Sequence, residues 1–439
     1  MKRATIAFVV CLVLSLGAVV AVLAGHDSPW VGAEQAVALT QGQNLRPNTY
    51  LALYGDKRAV IWTGQTSPKG VFLAQWEEVA WNTTTLADTG EDDAWFPSLA
   101  YSGTRLLATW VQGVYNPPEP WSAPLGDIVQ QDVGTGATAK TVITQVHSYT
   151  APYIAVGPTG MHLTFAAARP DNPQDWNKLD LYYVHRPLTQ TAWETPTIVV
   201  TRTQVVPQAS TGAVEYPRIA LSADGATLHI VWEQREQGAR SVWHMAGTWS
   251  LDGPQWAAPT QISPLGQDYA VRPNVAVDDA GGVHVVWSEL ITGTGSIPDP
   301  EAQYINYRRF DGSEWSSPLR LNLAPIQVSN NFPTWASSSI DVQGDSLCVA
   351  WHGYYAAADK EESSLRCSQD RGQSWLPVLN GSESAALLSI FPTVRLDQWG
   401  QVHLVWGEFQ LDRSSYGLYY RTGQAEVSQV FMPVVLRGP

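Results

Sequence analysis

The chain has 439 residues, with 26 Lys and Arg against 40 Asp and Glu, a net charge of −14, and 20 Trp. This acidic balance argues against nucleic acid or an anionic membrane surface as a partner, because both require basic patches that displace counterions. The many Trp, Gly and Pro residues favour short strands and turns over helices, so we expect an all-β protein.

The first 24 residues form a candidate export segment. Lys2 and Arg3 precede an apolar run from Ala4 to Ala24, whose small-residue end resembles a signal-peptidase site. The run is also long enough to cross a bilayer, so residues 1–24 are either a cleaved signal peptide or an uncleaved anchor. Both alternatives predict a secreted or cell-envelope, extracytoplasmic protein, with this segment as its only contact with a membrane.

One pattern recurs along the rest of the chain. An aromatic residue or Arg precedes Pro, then come a short alternating strand, a Gly or Asp turn, and a second strand that ends in Val-Trp or a near equivalent. Seven copies predict seven repeats of one supersecondary unit. The clearest copies span residues 216–232, 272–287 and 391–406, and weaker copies begin at Arg46, Phe96, Ala151 and Phe332.

Each repeat continues with a third strand and then a Trp that leads a fourth, as at residues 241–247 and Trp256. The seventh repeat lacks this Trp, and Trp30, which leads residues 35–40, supplies a match at the other end of the chain. We therefore expect a seven-bladed β-propeller of four-stranded antiparallel blades over residues 25–427. The N-terminal strand would complete the last blade and close the ring.

Four His residues occupy the same place in four repeats, next to the Gly turn. Equivalent positions of a propeller are separated by the rotation of a blade, so these side chains cannot converge on one ion. We expect repeated packing or turn hydrogen bonds, and we expect neither a metal nor a cofactor. The residues are His162, His229, His284 and His403, with Asp224, Asp278, Asp279 and Asp397 as acids of tight hairpin turns.

Two Cys residues remain after the export segment, Cys348 and Cys367. Cys348 lies in the predicted second strand of the sixth repeat and Cys367 in its third strand. A hairpin centred near Ala357 and Ala358 places the two opposite one another. Because an exported protein meets an oxidising compartment, we expect them to form a disulfide.

Residues 368–375 read SQDRGQSW. This string resembles the Asp-box, S-x-D-x-G-x-x-W, of bacterial neuraminidase repeats and the wider sialidase-like propeller superfamily. The resemblance implies a tight hairpin between the third and fourth strands, in which Ser368 and Asp370 bind backbone groups, Gly372 adopts a positive φ and Trp375 packs under the turn. The motif indicates a fold rather than a function.

The resemblance also implies what a catalytic sialidase should contain. Sialidases use an arginine triad for the substrate carboxylate, a Tyr and Glu nucleophilic pair and an Asp acid, with one Arg in a Phe/Tyr-Arg-Ile-Pro motif. This sequence lacks that motif, and its nearest string, YPRI at residues 216–219, has a different order. Seven repeats also differ from the six blades of a catalytic sialidase. These differences argue against sialic-acid hydrolysis.

One face of the predicted propeller collects the features of a ligand site. The loops that enter the innermost strands and those between second and third strands open there, with insertions at residues 114–124, 169–180, 290–303 and 354–363. Aromatic, guanidinium and carboxylate groups at a channel mouth suit a sugar. Glu or Gln recurs after the Trp in several repeats. For any single Glu, the alternative to ligand binding is therefore a structural contact at the end of the strand, repeated from one repeat to the next. The candidate ligand residues are Arg46, Tyr216, Glu233, Arg272, Glu289 and Glu408.

We therefore predict an exported sialidase-like propeller that binds a glycan or a cell-surface protein on this face, without catalysis of its own. The alternative is a glycoside hydrolase, sialidase-like, or a lyase that uses rim carboxylates. A carboxylate pair near the channel with a raised pKa would favour that alternative. Residues 428–439 lie outside the repeats and form an apolar tail, for surface handling or for packing against the last repeat.

Overall fold

The structure, a computed structural model, is all-β in the residues that it describes. It covers residues 30, 34–41, 50–64, 70–88, 93–113, 125–135, 139–147, 151–169, 178–201, 212–236, 239–264, 269–292, 300–327, 336–355, 360–382, 387–410 and 415–424. This described part contains strands and turns and no helix, so it holds no helix that could span a membrane. The predicted export segment, the C-terminal tail and Arg46 lie outside it.

The first described strand is β1 (Gln35–Gln41), and three four-stranded antiparallel sheets follow, in which consecutive strands pair. The sheets are β2 (Tyr50–Tyr54), β3 (Lys57–Thr63), β4 (Gly70–Glu77) and β5 (Ala80–Asp88); β6 (Asp93–Ser102), β7 (Arg105–Gly113), β8 (Leu125–Val133) and β9 (Lys140–His147); and β10 (Tyr153–Gly157), β11 (Gly160–Ala168), β12 (Leu179–Arg186) and β13 (Thr197–Val200).

The next 14 strands form one sheet of three hairpin groups, joined by the single-residue bridges Arg240 to Tyr269 and Gln327 to Tyr354. The groups are β14 (Gly212–Leu221), β15 (Thr227–Glu236), β16 (Ala239–Ser250), β17 (Gly253–Trp256) and β18 (Thr260–Gln261); β19 (Tyr269–Val277), β20 (Val283–Thr292), β21 (Pro300–Phe310), β22 (Leu319–Arg320) and β23 (Ile326–Gln327); and β24 (Ser338–Gln343), β25 (Ser346–Tyr355), β26 (Lys360–Ser368) and β27 (Leu379–Asn380).

The N-terminal strand belongs to the last sheet. The strands β28 (Leu387–Leu396), β29 (Gln401–Gln410) and β30 (Ser415–Gln424) pair in order, and β1 pairs antiparallel with β30. Trp30 forms a further bridge with Gly423, and its indole N–H donates to the Asn380 carbonyl at 3.0 Å. The sequence match of Trp30 predicted this pairing of the two ends of the chain.

Strand alternation buries both faces of each sheet. In β15, Ile230 and Trp232 pack with Met245 on one side, whereas Val231 packs with Trp287 on the other. Period-two alternation sends neighbouring side chains to opposite faces, and here both faces meet other sheets. Five second-strand Trp residues are consequently among the most deeply buried side chains: Trp110, Trp232, Trp287, Trp351 and Trp406.

The first strands of successive groups contact one another. Contacts join β2 to β6, β6 to β10, β10 to β14, β14 to β19, β19 to β24 and β24 to β28, and β28 also contacts β2. The two hydrophobic faces of each sheet therefore lie between two neighbouring sheets.

The repeated His residues join turns to strands. His284 contacts the Asp278 carboxylate at 3.1 Å through Nε2 and the Tyr307 hydroxyl at 2.8 Å through Nδ1. His403 repeats this arrangement with Asp397 and Tyr420. The predicted turn hydrogen bonds are therefore present at His284 and His403, and His162 contacts the turn residue Thr159 at 3.0 Å. Within the described residues, His229 instead contacts His244 Nε2 through Nδ1 at 3.0 Å.

Cys348 and Cys367 face each other across β25 and β26 and form a disulfide, with Cα atoms 4.2 Å apart. Both are buried in a cluster that also contains Trp30 and Leu404. The disulfide therefore lies where the sixth group packs against the last sheet.

The turn at residues 368–375 is closed by its own side chains. The Ser368 hydroxyl donates to Asp370 at 2.7 Å and accepts the Gly372 N–H at 2.8 Å, and Asp370 also accepts the Ser374 N–H at 2.7 Å. Gly372 has a φ of +80°, which favours glycine. Trp375 packs edge-on against Tyr307, with ring centroids 4.9 Å apart.

Candidate functional site

The residue before the Pro that recurs in each repeat is strained where the structure describes it. Phe96, Ala151, Tyr216, Arg272 and Phe391 all have φ between 45° and 54°. A positive φ is unfavourable for these residue types, and the following Pro restricts them further. Such strain persists only where the surroundings enforce it, and it is common at ligand sites. The first strands therefore enter the centre of the molecule through a repeated, enforced kink.

A polar side chain from the preceding group holds two of these kinks. The Glu233 carboxylate accepts the backbone N–H of Arg272 at 3.0 Å, and His352 Nδ1 accepts the backbone N–H of Phe391 at 3.2 Å. Glu233 and His352 each follow the buried Trp of their own second strand. At these two positions, the polar residue after the Trp therefore links its own group to a neighbouring group through a hydrogen bond to the backbone.

Glu233 is fully buried and belongs to a network of charges. Its carboxylate accepts from the Arg240 guanidinium, which also donates to Glu215 at 2.7 Å. Arg235 donates to Glu215 at 2.8 Å. The carboxylates in this network are therefore engaged by protein groups rather than presented to solvent.

The other two candidate glutamates are also buried. Glu289 accepts from the Asn306 amide at 3.0 Å and from Arg320 at 3.2 Å. Glu408 accepts from the Trp406 indole N–H at 2.9 Å, and burial raises the pKa of its carboxyl. These contacts match the strand-end alternative that the sequence left open. Protein donors therefore already supply hydrogen bonds to both carboxylates, without a ligand.

Arg272 and Tyr216 form the cationic part of the site. The Arg272 guanidinium lies 5.8 Å from the centroid of the Tyr216 ring. Burial lowers the pKa of Arg272, and the nearby guanidiniums of Arg240 and Arg218 lower it further. Arg218 and Arg272 therefore bring positive charge to the place where the sequence put two of its candidate ligand residues, whereas Arg240 is paired with Glu215 and Glu233.

His352 supplies a buried donor beside them. Its side chain is fully buried, and burial lowers its pKa to about 3, with Arg272 contributing. Because Nδ1 accepts the Phe391 N–H, the proton of the neutral ring lies on Nε2. Nε2 has no hydrogen-bond partner among the described residues. At neutral pH His352 can donate a hydrogen bond but cannot act as a base.

Below these residues, side chains from separate repeats meet at the centre. Arg218 donates to the Tyr50 hydroxyl at 3.0 Å and lies 5.0 Å from the Tyr153 ring centroid. Arg395 reaches the Tyr153 hydroxyl at 3.5 Å, and Asp341 and Arg395 interact electrostatically. Arg218 Nε is buried and has no partner among the described residues. Arg218 forms no ion pair with a described carboxylate.

Sequence reasoning selected Tyr216 and Arg272 as ligand candidates. It placed His352 on the same rim as Glu233 without making it a candidate, and it assigned no ligand role to Arg218. Arg218 is two residues from Tyr216 in the same strand, but the pairing with β15 shifts register between Glu215 and Arg218, so simple alternation could not predict where the Arg218 side chain lies. His352 follows Trp351 as Glu233 follows Trp232, but its unpartnered Nε2 depends on packing that no local pattern reveals.

Within the described ranges, no group of three or more His, Cys, Asp or Glu side chains could hold a metal ion. The residues brought together carry guanidinium, phenol and imidazole groups. Such groups can donate hydrogen bonds to an anion, and the aromatic rings can stack on a ligand.

No family model matches the chain, and no curated protein matches it in sequence. An ulvan lyase of polysaccharide lyase family PL25 is similar in fold, with a TM-score of 0.60 and 9% identity over 89% of this chain and 96% of that chain. An ulvan lyase bound to -[GlcA(1-4)Rha3S]- has the same TM-score and identity, over 90% and 96%. A Trypanosoma rangeli sialidase gives a TM-score of 0.45 at 9% identity, over 86% and 54%. At these identities the similarity concerns the fold alone, and the four-stranded antiparallel sheets are consistent with a propeller.

Proposed function

We propose that the chain is a closed propeller of seven blades. Seven first strands contact one another in sequence, and the contact of β28 with β2 supports a ring. The pairing of β1 with β30 supports closure by a blade shared between the two ends of the chain. Closure of this kind replaces an open sheet edge with backbone hydrogen bonds.

The turn at residues 368–375 supports membership of the sialidase-like superfamily. Its hydrogen bonds and the positive φ of Gly372 are those that the Asp-box resemblance implies. We place the protein outside the cell membrane, as a secreted or envelope-associated propeller, on the character of residues 1–24.

Within this fold we propose that Tyr216, Arg218, Arg272 and His352, the mouth cluster, bind an acidic glycan. The observation that carries the proposal is a set of buried donors without acceptors. Arg218 Nε and His352 Nε2 have no described partner. A buried donor that lacks an acceptor costs about 1–3 kcal/mol, and a ligand carboxylate or sulfate would remove that cost. The Tyr216 ring would pack against a sugar face.

The proposed ligand class agrees with the charge of the cluster. An acidic oligosaccharide carries several anions on a polar, ring-shaped scaffold, which suits guanidiniums spaced along a channel. The ulvan lyase of similar fold is bound to a chain of this class. A cell-surface protein would bind the mouth cluster only by presenting the same anions. Binding of an acidic protein is therefore the second outcome considered for the test described below.

Binding is favoured over catalysis by the state of the acid and base groups. Most glycoside hydrolases use two carboxyl groups that flank the scissile bond, whereas Glu233, Glu289 and Glu408 are engaged by protein donors. His352 has no free lone pair for a proton. Hydrolase or lyase activity thus remains the alternative, and it would need groups other than these.

A panel of immobilised glycans tests the proposal. The protein should be retained by polygalacturonate and by a sulfated polysaccharide, but not by neutral dextran. Arg272→Met should weaken retention, whereas Arg105→Met, which removes an exposed arginine paired with Asp132, should leave it unchanged. Equal retention on dextran would contradict the proposal, and the release of reducing ends or of an unsaturated uronate would establish the catalytic alternative.

A further inference from the structure

A second concave surface lies far from the mouth cluster. A groove of about 770 Å³ opens between the β12–β13 connection and the β16–β17 turn. Arg240, near the mouth cluster, and Ser250, in the groove, are ten residues apart along β16, which corresponds to about 33 Å. The groove is therefore a separate site at the other end of the strands.

One wall of the groove is apolar and held in place. Trp249 packs against the His185 and His162 rings, with centroids 4.6 and 5.3 Å away. Pro187 and the fully exposed Leu251 extend this wall. An indole fixed beside two aliphatic side chains offers a surface for an apolar stem and a π face or edge for a polar head.

The charged groups at the groove are mainly acidic. The Glu194 side chain is 53% exposed, and Asp252 is exposed and forms no ion pair with a described residue. His185 contacts Glu194 at 3.1 Å and the Thr159 carbonyl at 3.1 Å, so both of its partners are acceptors. Even with His185 protonated, the three charges (−1, −1 and +1) sum to −1.

We propose that this groove binds an organic cation on an aliphatic stem, the chemistry of a Lys side chain or of a free alkylammonium. The stem would lie along Leu251 and Pro187, and the ammonium would lie near Trp249 between the Glu194 and Asp252 carboxylates. A neutral sugar can donate its hydroxyls to the same carboxylates but gains nothing from their net negative charge, so methyl glucoside is the competing probe in the test.

Ligand-observed NMR with the purified protein tests this assignment. The probes are N-acetyl-lysine methylamide, its uncharged counterpart N-acetyl-norleucine methylamide, n-butylammonium and methyl glucoside. We expect the lysine probe to bind and the norleucine probe to bind at least about tenfold more weakly, because the carboxylates and the indole recognise the charge. Equal affinity of the lysine amide and butylammonium points to a free amine, and tighter binding of the amide points to a peptide.

Variants locate the binding. Glu194→Gln and Asp252→Asn should each weaken lysine binding by roughly three- to tenfold, as expected for partly exposed charges. Asp311→Asn, in the corresponding turn after β21, is the matched control and should have no effect. Trp249→Phe tests whether the indole contributes to binding, because it removes the indole but keeps an aromatic side chain against His185 and His162. Absence of lysine binding, preference for methyl glucoside, or an equal effect of Asp311→Asn would overturn the proposal.

Discussion

The buried His residues predict that acid destabilises this protein steeply. Five of them have pKa values lowered chiefly by burial, to about 3 for His162, His244 and His352 and to about 4 for His229 and His403. In the unfolded chain the ordinary value is about 6.5. The unfolded state therefore binds more protons below pH 6.5, and stability is lost as pH falls from 6.5 towards 4.

The loss of unfolding free energy on acidification can be worked out for a single residue. For His403, a folded pKa of about 4 against 6.5 unfolded corresponds to about 2 kcal/mol lost between pH 7 and pH 5. Five such groups would together remove at most about 10 kcal/mol, comparable to the whole stability of many domains. The low pKa of Asp278, about 2, removes further stability only below about pH 4.

The assay is urea unfolding of the wild type and of His403→Gln, at pH 7 and pH 5. The variant loses the contacts with Tyr420 and Asp397, so it should be less stable at both pH values. Its drop in unfolding free energy between pH 7 and pH 5 should be about 2 kcal/mol smaller than that of the wild type. Between pH 7 and pH 8.5 neither protein should change through these groups. Equal drops in the two proteins would refute the assignment of His403 as a buried neutral group.

Three further predictions concern closure, the disulfide and sialosides. Deletion of residues 25–42 should lower the melting temperature sharply in a calorimetric scan, because it removes Trp30 and β1 and exposes the edge of β30; an unchanged melting temperature would exclude a structural role for this strand. Cys348→Ala with Cys367→Ala should cost about 3 kcal/mol in urea unfolding, and thiol titration of the unfolded, unreduced wild type should find neither Cys free. The purified protein should release no sialic acid from sialosides; release that is lost on changing one rim glutamate to Gln would show a catalytic sialidase.

The strands could be predicted because each repeat carries its own alternation and turn. The segment from Tyr216 to Trp232 contains the pattern of two paired strands, and β14 and β15 follow it closely. Trp30 and the missing final Trp gave the pairing of β1 with β30. Both signals are local or involve the repeat itself, so a single sequence was enough.

The candidate site was harder to predict from the sequence, because it depends on contacts between repeats. Tyr50, Tyr153 and Arg218 lie in three different repeats, and only the packing of first strands brings them together. Glu233 and Glu408 look like exposed strand ends in sequence, but neighbouring sheets bury them. Burial at an inter-sheet contact is set by the neighbouring group, which the local pattern does not encode.

Calorimetric titration of an oligogalacturonate into the wild type and Arg218→Met tests the mouth cluster most directly. Loss of this charged donor should weaken binding by about 10- to 100-fold, because a hydrogen bond to a charged group contributes about 1.5–3 kcal/mol. Arg105→Met should bind as the wild type does. Unchanged affinity in Arg218→Met, with the fold intact by melting temperature, would contradict the proposed role of the mouth cluster.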